Sequence, residues 1–413
     1  MAIDVKAQEF NVGGVKLARP FKIRRLGHFG INAIDPEASL NFYRNLLGFR
    51  ISDTIDFGHI LGEEKAAEIG GPRGGYFMHH GTDHHSFVIF PRKVYEAVGS
   101  ARSGRPPVPE VTINQLTWQV GSLREVNDAI RWFKATDRPI ARTGRDMPGS
   151  NWHMYMPDPD RHTNEMYYGI EQIGWEGLSK PVGMRDRAFH ETPTLPQISE
   201  LAEIEQAKAR GVDVTSGYRD VEDLPATYDV DGILLPRPFK VVRIGPVGLF
   251  VDDISKSEDF YTEVMGFTVT ERSTWQGNDC VFLRCNTEHH SLALYPRAMR
   301  SQLGFWEGST LATFGLQVAN YRQLKDAISF LKEKGCEIRE LPAELHPGID
   351  YAAYVRDPDG HTIELYYYME QIGWNGQPRP AAERPKVTAG QWPETVDPQS
   401  DSFMGEAFLG PWG

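Results

Sequence analysis

The sequence predicts an α+β protein in which four β-α-β-β-β modules pair into two homologous domains. Three observations carry this reading. The chain contains an internal repeat: ARPFKIRRLGHFGI at 18–31 matches PRPFKVVRIGPVGL at 236–249, DHHSFVIFPR at 83–92 matches EHHSLALYPR at 288–297, and DPDRHTNEMYYGIEQIGW ending at Trp175 matches DPDGHTIELYYYMEQIGW ending at Trp374. Three blocks in one order mark duplication of a unit, and the sites that divide it are read before anything else. Within each unit one strand–helix–strand order recurs, and its helices cover one side of mainly antiparallel sheets. The repeat offset shrinks from 218 (18 to 236) to 199 (175 to 374), which assigns the longer loops to the first unit.

The elements of the first unit follow in order. Residues 22–33 alternate as a strand does. Asp35 and Pro36 supply an N-cap and a first-turn proline. Residues 36–47 then read as a helix with Leu40, Tyr43, Leu46 and Leu47 on one face, and Gly48 ends it. Strands are expected at 50–56, 75–80 and 85–90. The order then restarts with a strand at 112–120, a helix at 123–136, and short strands near 140, at 152–156 and at 163–168. Domain limits of 18–175 and 236–374 result. Between them, 176–235 reads as a linker with one helix over 201–210 that stops at Gly211. Residues 375–413 are rich in Pro, Gly and Trp without periodicity and read as an irregular tail over the surface or an oligomer neighbour.

Composition excludes several classes. A chain of 413 residues with 40 % hydrophobic and 24 % charged residues is an ordinary globular chain of two or three domains. The net charge of −12 and the lack of any Lys/Arg run argue against nucleic acid and anionic membrane as partners. No apolar stretch approaches the ~20 residues of a membrane span, and the start, MAIDVKAQEF, lacks the regions of a secretory signal. The three cysteines, Cys280, Cys285 and Cys336, form no CxxC and no even set, which points to a reducing cytoplasm. No dinucleotide fingerprint, Walker loop or nucleophile elbow is present. The GGPRGG run at 70–75 is expected to be a flexible lid.

The LGHFGI opening, NFYRNLLGF with its counterpart DFYTEVMGF, and the paired DPDRHTNEMYY and DPDGHTIELYYY resemble the vicinal oxygen chelate superfamily, which includes glyoxalase I, bleomycin-binding proteins and extradiol ring-cleavage dioxygenases. The resemblance covers about three quarters of the chain. The two-domain length and the HHS strands are most similar to type I extradiol dioxygenases. It implies two vicinal-oxygen-chelate domains with open β-barrel clefts, a divalent metal held by three protein ligands, and a homo-oligomer. A facial set of three leaves neighbouring positions open for a catecholate and O2.

Carried over residue by residue, the ligand positions are His28, Gln115 and Glu165 in domain 1, and Pro246, Thr313 and Glu364 in domain 2. Proline has no donor side chain and threonine is a poor one, so domain 2 is expected to be metal-free. Domain 1 also holds eight of the 13 histidines (28, 59, 79, 80, 84, 85, 153 and 162); domain 2 holds 289, 290, 346 and 361, and His190 lies in the linker. Gln115 departs from the dioxygenase pattern of two histidines and a glutamate. A neutral amide oxygen suits Mn, Zn or Ni as well as Fe(II), and His153 offers an alternative as ligand or substrate contact. The resemblance further implies a proton-relaying histidine at His84, with His85 pointing away, and a substrate-bonding tyrosine at Tyr155. Tyr76 and Trp152 are candidate stacking partners for an aromatic ring. His79 and His80 are expected at the surface.

Three functions remain open at this point. The first is Fe(II)-dependent extradiol cleavage of a catechol or related hydroxylated aromatic by O2. The second is a metal-dependent, glyoxalase-like isomerase, lyase or hydrolase without O2, which Gln115 favours. The third is a metal-free small-molecule-binding protein of the same fold.

Overall fold

The computed structural model describes residues 9–146, 148–149, 152–187, 191, 193–194, 196–372, 375–387 and 390–396. The duplication becomes two eight-stranded mixed sheets of the same order. In the first, the spatial order is Arg50–Asp56, Gly74–His79, Phe87–Pro91, Ile23–Ala33, Ile113–Val120, Thr163–Tyr167, His153–Pro157 and Arg142–Gly144. The two long central strands are antiparallel, and each has a parallel neighbour on its outer side. The two modules of the domain therefore join across Ile23–Ala33 and Ile113–Val120. The edge strands are not paired with each other among the described residues, so the sheet stays open, as a cleft requires. The second sheet repeats this around Val241–Val251 and Leu311–Val318.

The local signals act as the sequence suggests. Asp35 accepts a hydrogen bond from the Ala38 backbone N–H at 3.1 Å, and helix Pro36–Leu40 continues as a π-helical turn, Asn41–Leu46, that buries Tyr43. Ser122 caps helix Leu123–Ala135 through the Glu125 N–H at 3.2 Å, and Leu123, Val126, Ala129, Ile130 and Phe133 face the core. The linker helix forms at Glu200–Ala209 with Ser199 as its cap. The sequence reading missed helices Phe57–Leu61, Glu63–Ile69 and Arg92–Ser103. They are the longer loops of the first half: the offset drops from 218 to 205 (His84 to His289) across the first pair and to 199 across the third helix. In the second half the first insertion shrinks to a tight turn between Trp275 and Asn278.

Two hairpins lie outside the expected limits. Phe10–Val12 pairs with Val15–Leu17, and Tyr228–Val230 with Ile233–Leu235, again 218 residues apart. The repeat thus begins about eight residues before 18 and 236. His190 and residues 397–413 of the tail lie outside the described residues. The three cysteines are unpaired, and no helix among the described residues is long and apolar enough to cross a membrane.

The halves clasp each other reciprocally. His162 Nδ1 lies 2.8 Å from Asp158 Oδ2, which also accepts from Tyr261 Oη of the other half at 2.9 Å, while His162 Nε2 lies 2.8 Å from Thr310 Oγ1. The mirror set is His361 with Asp357 (2.9 Å), Tyr43 Oη to Asp357 Oδ2 (3.1 Å) and His361 Nε2 with Thr112 Oγ1 (2.9 Å). The repeated Asp-Pro-Asp-x-His motif is thus the interdomain fastener. Phe29 stacks on Phe314 between the halves, ring centroids 4.3 Å apart.

Candidate active site

Strand parity decides what faces the cleft of the first sheet. Successive side chains of a strand point to opposite faces. Trp152, Met154 and Met156 join the main core, so His153 and Tyr155 point the other way. Phe87 and Ile89 likewise join that core, whereas Val88 and Phe90 join Phe57, Phe77 and Val94 in a separate cluster. Above this cluster lies a cavity of about 440 Å³. Its apolar wall comprises Ile55, Phe57, Ile60, Phe77, Phe90 and Tyr95; its polar floor comprises His28, His85, Gln115, Tyr155 and Glu165; and Arg142, Asp146 and Arg185 stand at its side.

The floor is built around Glu165. Its Oε2 lies 3.2 Å from His28 Nε2 and accepts from Thr117 Oγ1 at 3.0 Å, and its Oε1 lies 3.2 Å from His153 Nδ1. Burial pushes this carboxyl up, but the His28 imidazole, and then His153, outweigh burial and hold it well below its ordinary range. It is therefore a buried anionic oxygen donor. His85 stacks edge-on against His28 with centroids 4.5 Å apart, and its Nδ1 lies 3.0 Å from His84 Nδ1. Burial, then His28 and His84, push His85 well below its ordinary value, so it rests neutral. Behind it, His84 Nε2 lies 3.5 Å from Asp53, which also pairs with Arg185. Burial raises Asp53, yet His84 and Arg185 together hold it below its ordinary value. Burial, and next Glu165, push the Tyr155 phenol well up, and the Arg142 guanidinium lies 4.3 Å from its ring centroid.

These positions fit a divalent metal. Two donors about 2.1 Å from a metal at a right angle stand about 3 Å apart, and His28 Nε2 and Glu165 Oε2 are 3.2 Å apart. His28 Nδ1 and Glu165 Oε1 are buried without a hydrogen bond. Gln115 reaches the same cavity with a third, neutral donor. Among the described residues no group of three or more His, Cys, Asp or Glu side chains is spaced to hold a metal, so any three-ligand set here needs the amide.

Several expectations are corrected. His84 does not reach the cavity; His85 does. The regular strand begins at Phe87, so period-two counting back to 84 fails where the chain bends after the Asp83–Gln172 bridge. Trp152 is a core residue, because it sits beside His153 on one strand and takes the opposite face. His153 faces the right way but lies behind Glu165 rather than lining the cavity. Tyr76 points to the outer face and bonds Glu37. The glycine run at 70–75 is not among the residues lining this cavity; helix Phe57–Leu61 contributes to that wall. His79 and His80 are half-buried rather than fully exposed, His80 Nδ1 lying 2.7 Å from Ser86 Oγ. Arg142, Asp146 and Arg185 went unnoticed. The pairing of Arg142 with Tyr155 on neighbouring strands is a signal that alternation could have given for the first.

The second sheet lacks this floor. Pro246 and Thr313 stand where His28 and Gln115 do, and Ala352 stands where His153 does. Glu364 accepts from Tyr354 Oη at 2.5 Å, and burial raises its carboxyl above the ordinary value. A cavity of about 400 Å³ exists in that half, but it lies between residues 340–352 and Arg384, Pro385, Val387 and Trp392, and of these positions it takes in Ala352 but not Pro246, Thr313 or Glu364.

The fold and this floor define a two-domain vicinal-oxygen-chelate protein with one equipped cleft. The family model described as Glyoxalase/Bleomycin resistance protein/Dioxygenase superfamily matches residues 25–166 and 243–365, and the chain belongs to that superfamily. Among curated relatives it is 28 % identical over 133 residues (32 % of this chain, 44 % of the relative) to a 2,2',3-trihydroxybiphenyl dioxygenase of Sphingomonas paucimobilis. It is also 28 % identical over 139 residues (32 % of this chain) to a manganese-dependent 2,3-dihydroxybiphenyl 1,2-dioxygenase of Geobacillus genomosp. 3. The matches span 44 % and 38 % of the lengths of these two relatives. The fold is similar to that of the 2,3-dioxygenase LapB from Pseudomonas sp. KL28, with TM-score 0.54 and 15 % identity over 87 % of this chain and 96 % of that one. It is also similar to a Mn(II)-bound glyoxalase from Novosphingobium aromaticivorans, with TM-score 0.50 and 15 % identity over 86 % and 85 %.

Proposed function

We propose that the chain is an extradiol-type dioxygenase that opens the ring of a catechol or related hydroxylated aromatic beside its diol, using O2 at a divalent metal in the first half. The observation that carries this is one cavity with an aromatic wall and a floor on which an imidazole, a carboxylate and an amide converge. His28, Glu165 and Gln115 would hold Fe(II), or Mn, which the amide also suits; the metal, when bound, supplies adjacent open positions and a route for charge between ring and O2.

The chain's own groups do the rest. Phe57, Phe77, Phe90 and Tyr95 bury the ring and keep water out. The Tyr155 hydroxyl, which makes no hydrogen bond among the described residues and faces the cavity, donates to a substrate oxygen. His85 acts as acid and base in place of His84. With His84 Nε2–H directed at Asp53, His84 Nδ1 accepts from His85 Nδ1–H, which leaves His85 Nε2 bare to take the proton of a ring hydroxyl. Domain limits near 10–187 and 228–386 accompany this reading, because the hairpins repeat, and because Arg185 and Arg384 pair alike with Asp53 and Glu271, the carboxylates beside the two HHS motifs. A cytoplasmic homo-oligomer is the accompanying expectation.

Oxygen uptake by anaerobically Fe(II)- or Mn(II)-loaded protein, across a panel of catechols and biphenyl diols, tests the proposal. Uptake with a yellow ring-opened product, abolished by Glu165→Ala, is expected. Gln115 favours a second reading, the oxygen-independent isomerase or lyase. Metal-dependent turnover of an α-oxo thioester or thiohemiacetal substrate without uptake would install that reading instead.

A further inference from the structure

We propose that His153 is a positioning residue: it holds the outer oxygen of Glu165 and thereby keeps Tyr155 free to face the cleft. Three observations carry this. First, the His153 ring is fully buried behind Glu165, its Nδ1 is 3.2 Å from Glu165 Oε1 and its Nε2 is 3.6 Å from Asp146 Oδ2. Both are charge-pair contacts rather than hydrogen bonds: neither ring nitrogen, nor Glu165 Oε1, has a hydrogen-bond partner among the described residues. In the acid–imidazole–acid–imidazole row Asp146, His153, Glu165, His28, the carboxylate of Glu165 therefore has an imidazole against each oxygen.

Second, the duplication supplies an internal control. The second half keeps the glutamate and the tyrosine at the same spacing, Tyr354 and Glu364, but has Ala352 in place of His153. There the tyrosine swings onto the glutamate, Tyr354 Oη donating to Glu364 Oε1 at 2.5 Å. Third, in the first half Tyr155 makes no such bond and lines the cavity instead. Ala352 for His153 is the change on the Oε1 side of the carboxylate that separates a spent tyrosine from an available one; Pro246 for His28 and Gly315 for Thr117 are changes on its Oε2 side. A ligating carboxylate held by a neighbouring group keeps a single orientation, and loss of such a partner typically weakens metal binding.

The proposal rests on the metal reading of the first half for its binding consequence, but not for its structural one, and the test keeps the two apart. Crystal structures of metal-free wild type, His153→Ala and His153→Gln would be compared, and each apo protein titrated with Mn(II), the free ion being read by electron paramagnetic resonance. In His153→Ala the Tyr155 hydroxyl is expected on Glu165, as Tyr354 is on Glu364, and Mn(II) affinity falls about 10- to 100-fold. His153→Gln, whose amide can still donate, keeps Tyr155 off Glu165 and recovers part of the affinity. Tyr155→Phe alone leaves Mn(II) affinity unchanged. Should His153→Ala not fold, His153→Phe, which lacks a donor, takes its place with the same expectations. A Tyr155 that stays in the cavity without His153, or a wild-type Mn(II) affinity in that variant, overturns the proposal. A wild type that takes up no Mn(II) refutes the metal reading, while the crystal structures still decide what His153 does.

Discussion

Removing the Tyr261 hydroxyl tests the interdomain clasp. Tyr261 is fully buried, its Oη donates to Asp158 Oδ2 at 2.9 Å, and it receives Asn164 Nδ2 at 3.4 Å. Tyr261→Phe leaves the ring packing intact, so no cavity forms. It removes one hydrogen bond to a charged acceptor, for which about 1.5–3 kcal/mol is typical. Asp158 Oδ2 keeps His162 Nδ1 at 2.8 Å, so the carboxylate is not left bare and the lower part of that range applies; the lost Asn164 partner moves the expectation back to about 2 kcal/mol. Tyr43→Phe makes the mirror change at a longer bond, 3.1 Å, with no amide involved, and is expected to cost about 1.5 kcal/mol. Urea unfolding followed by tryptophan fluorescence and far-ultraviolet circular dichroism would measure both. A lower midpoint is expected in each, and in the double variant the two probes separate as the halves unfold apart. Midpoints within about 0.5 kcal/mol of wild type in both single variants would mean that the motif fastens nothing.

Three further outcomes follow from the same geometry. His85→Gln should lower kcat by about 10²- to 10⁴-fold and His84→Gln by about 10- to 100-fold, measured by steady-state oxygen uptake; the reverse order would return the proton to His84. Gln115→His should tighten Fe(II) binding about tenfold, ~1.4 kcal/mol, by competition with a chelator, and an unchanged affinity would remove residue 115 from the ligand set. Glu271 is held down to about 2, against its own burial, by His289 and Arg384. A depressed carboxylate gives stability that is present above the unfolded value near 4.5 and lost as pH falls toward 2. After discounting for screening at a partly exposed group, about 1–2 kcal/mol should disappear over that window, and Glu271→Gln should flatten the acid limb of a thermal-melt series; an unflattened limb would contradict the assignment.

How much was legible depended on whether the signal was local. The repeat blocks located both sheets, because identical strand and cap signals fold identically: Asp35 and Ser122 cap where expected, and helix and strand limits move by only a residue or two. The floor was legible in part. His28, Gln115 and Glu165 do meet in one cavity, since each sits within a regular strand where alternation holds. His84 and His85 were exchanged because the chain there is not yet strand. Trp152 and His153 could not both have faced the cleft, and alternation alone would have said so. The cavity wall was invisible, because helix Phe57–Leu61 is an insertion in one half and helix Arg92–Ser103 is cut to a single turn, Met299–Gln302, in the other. The role of the Asp-Pro-Asp-x-His motif lies in contacts spanning about a hundred residues or more, which no local pattern encodes.

The most direct test of the central claim is the metal content of anaerobically purified protein, measured for wild type, His28→Ala, Glu165→Ala and Glu364→Ala. About one divalent metal per chain, lost in the first two variants and retained in the third, is the predicted result. A folded wild type without metal, or a metal lost only with Glu364, would contradict an equipped first half and an unequipped second.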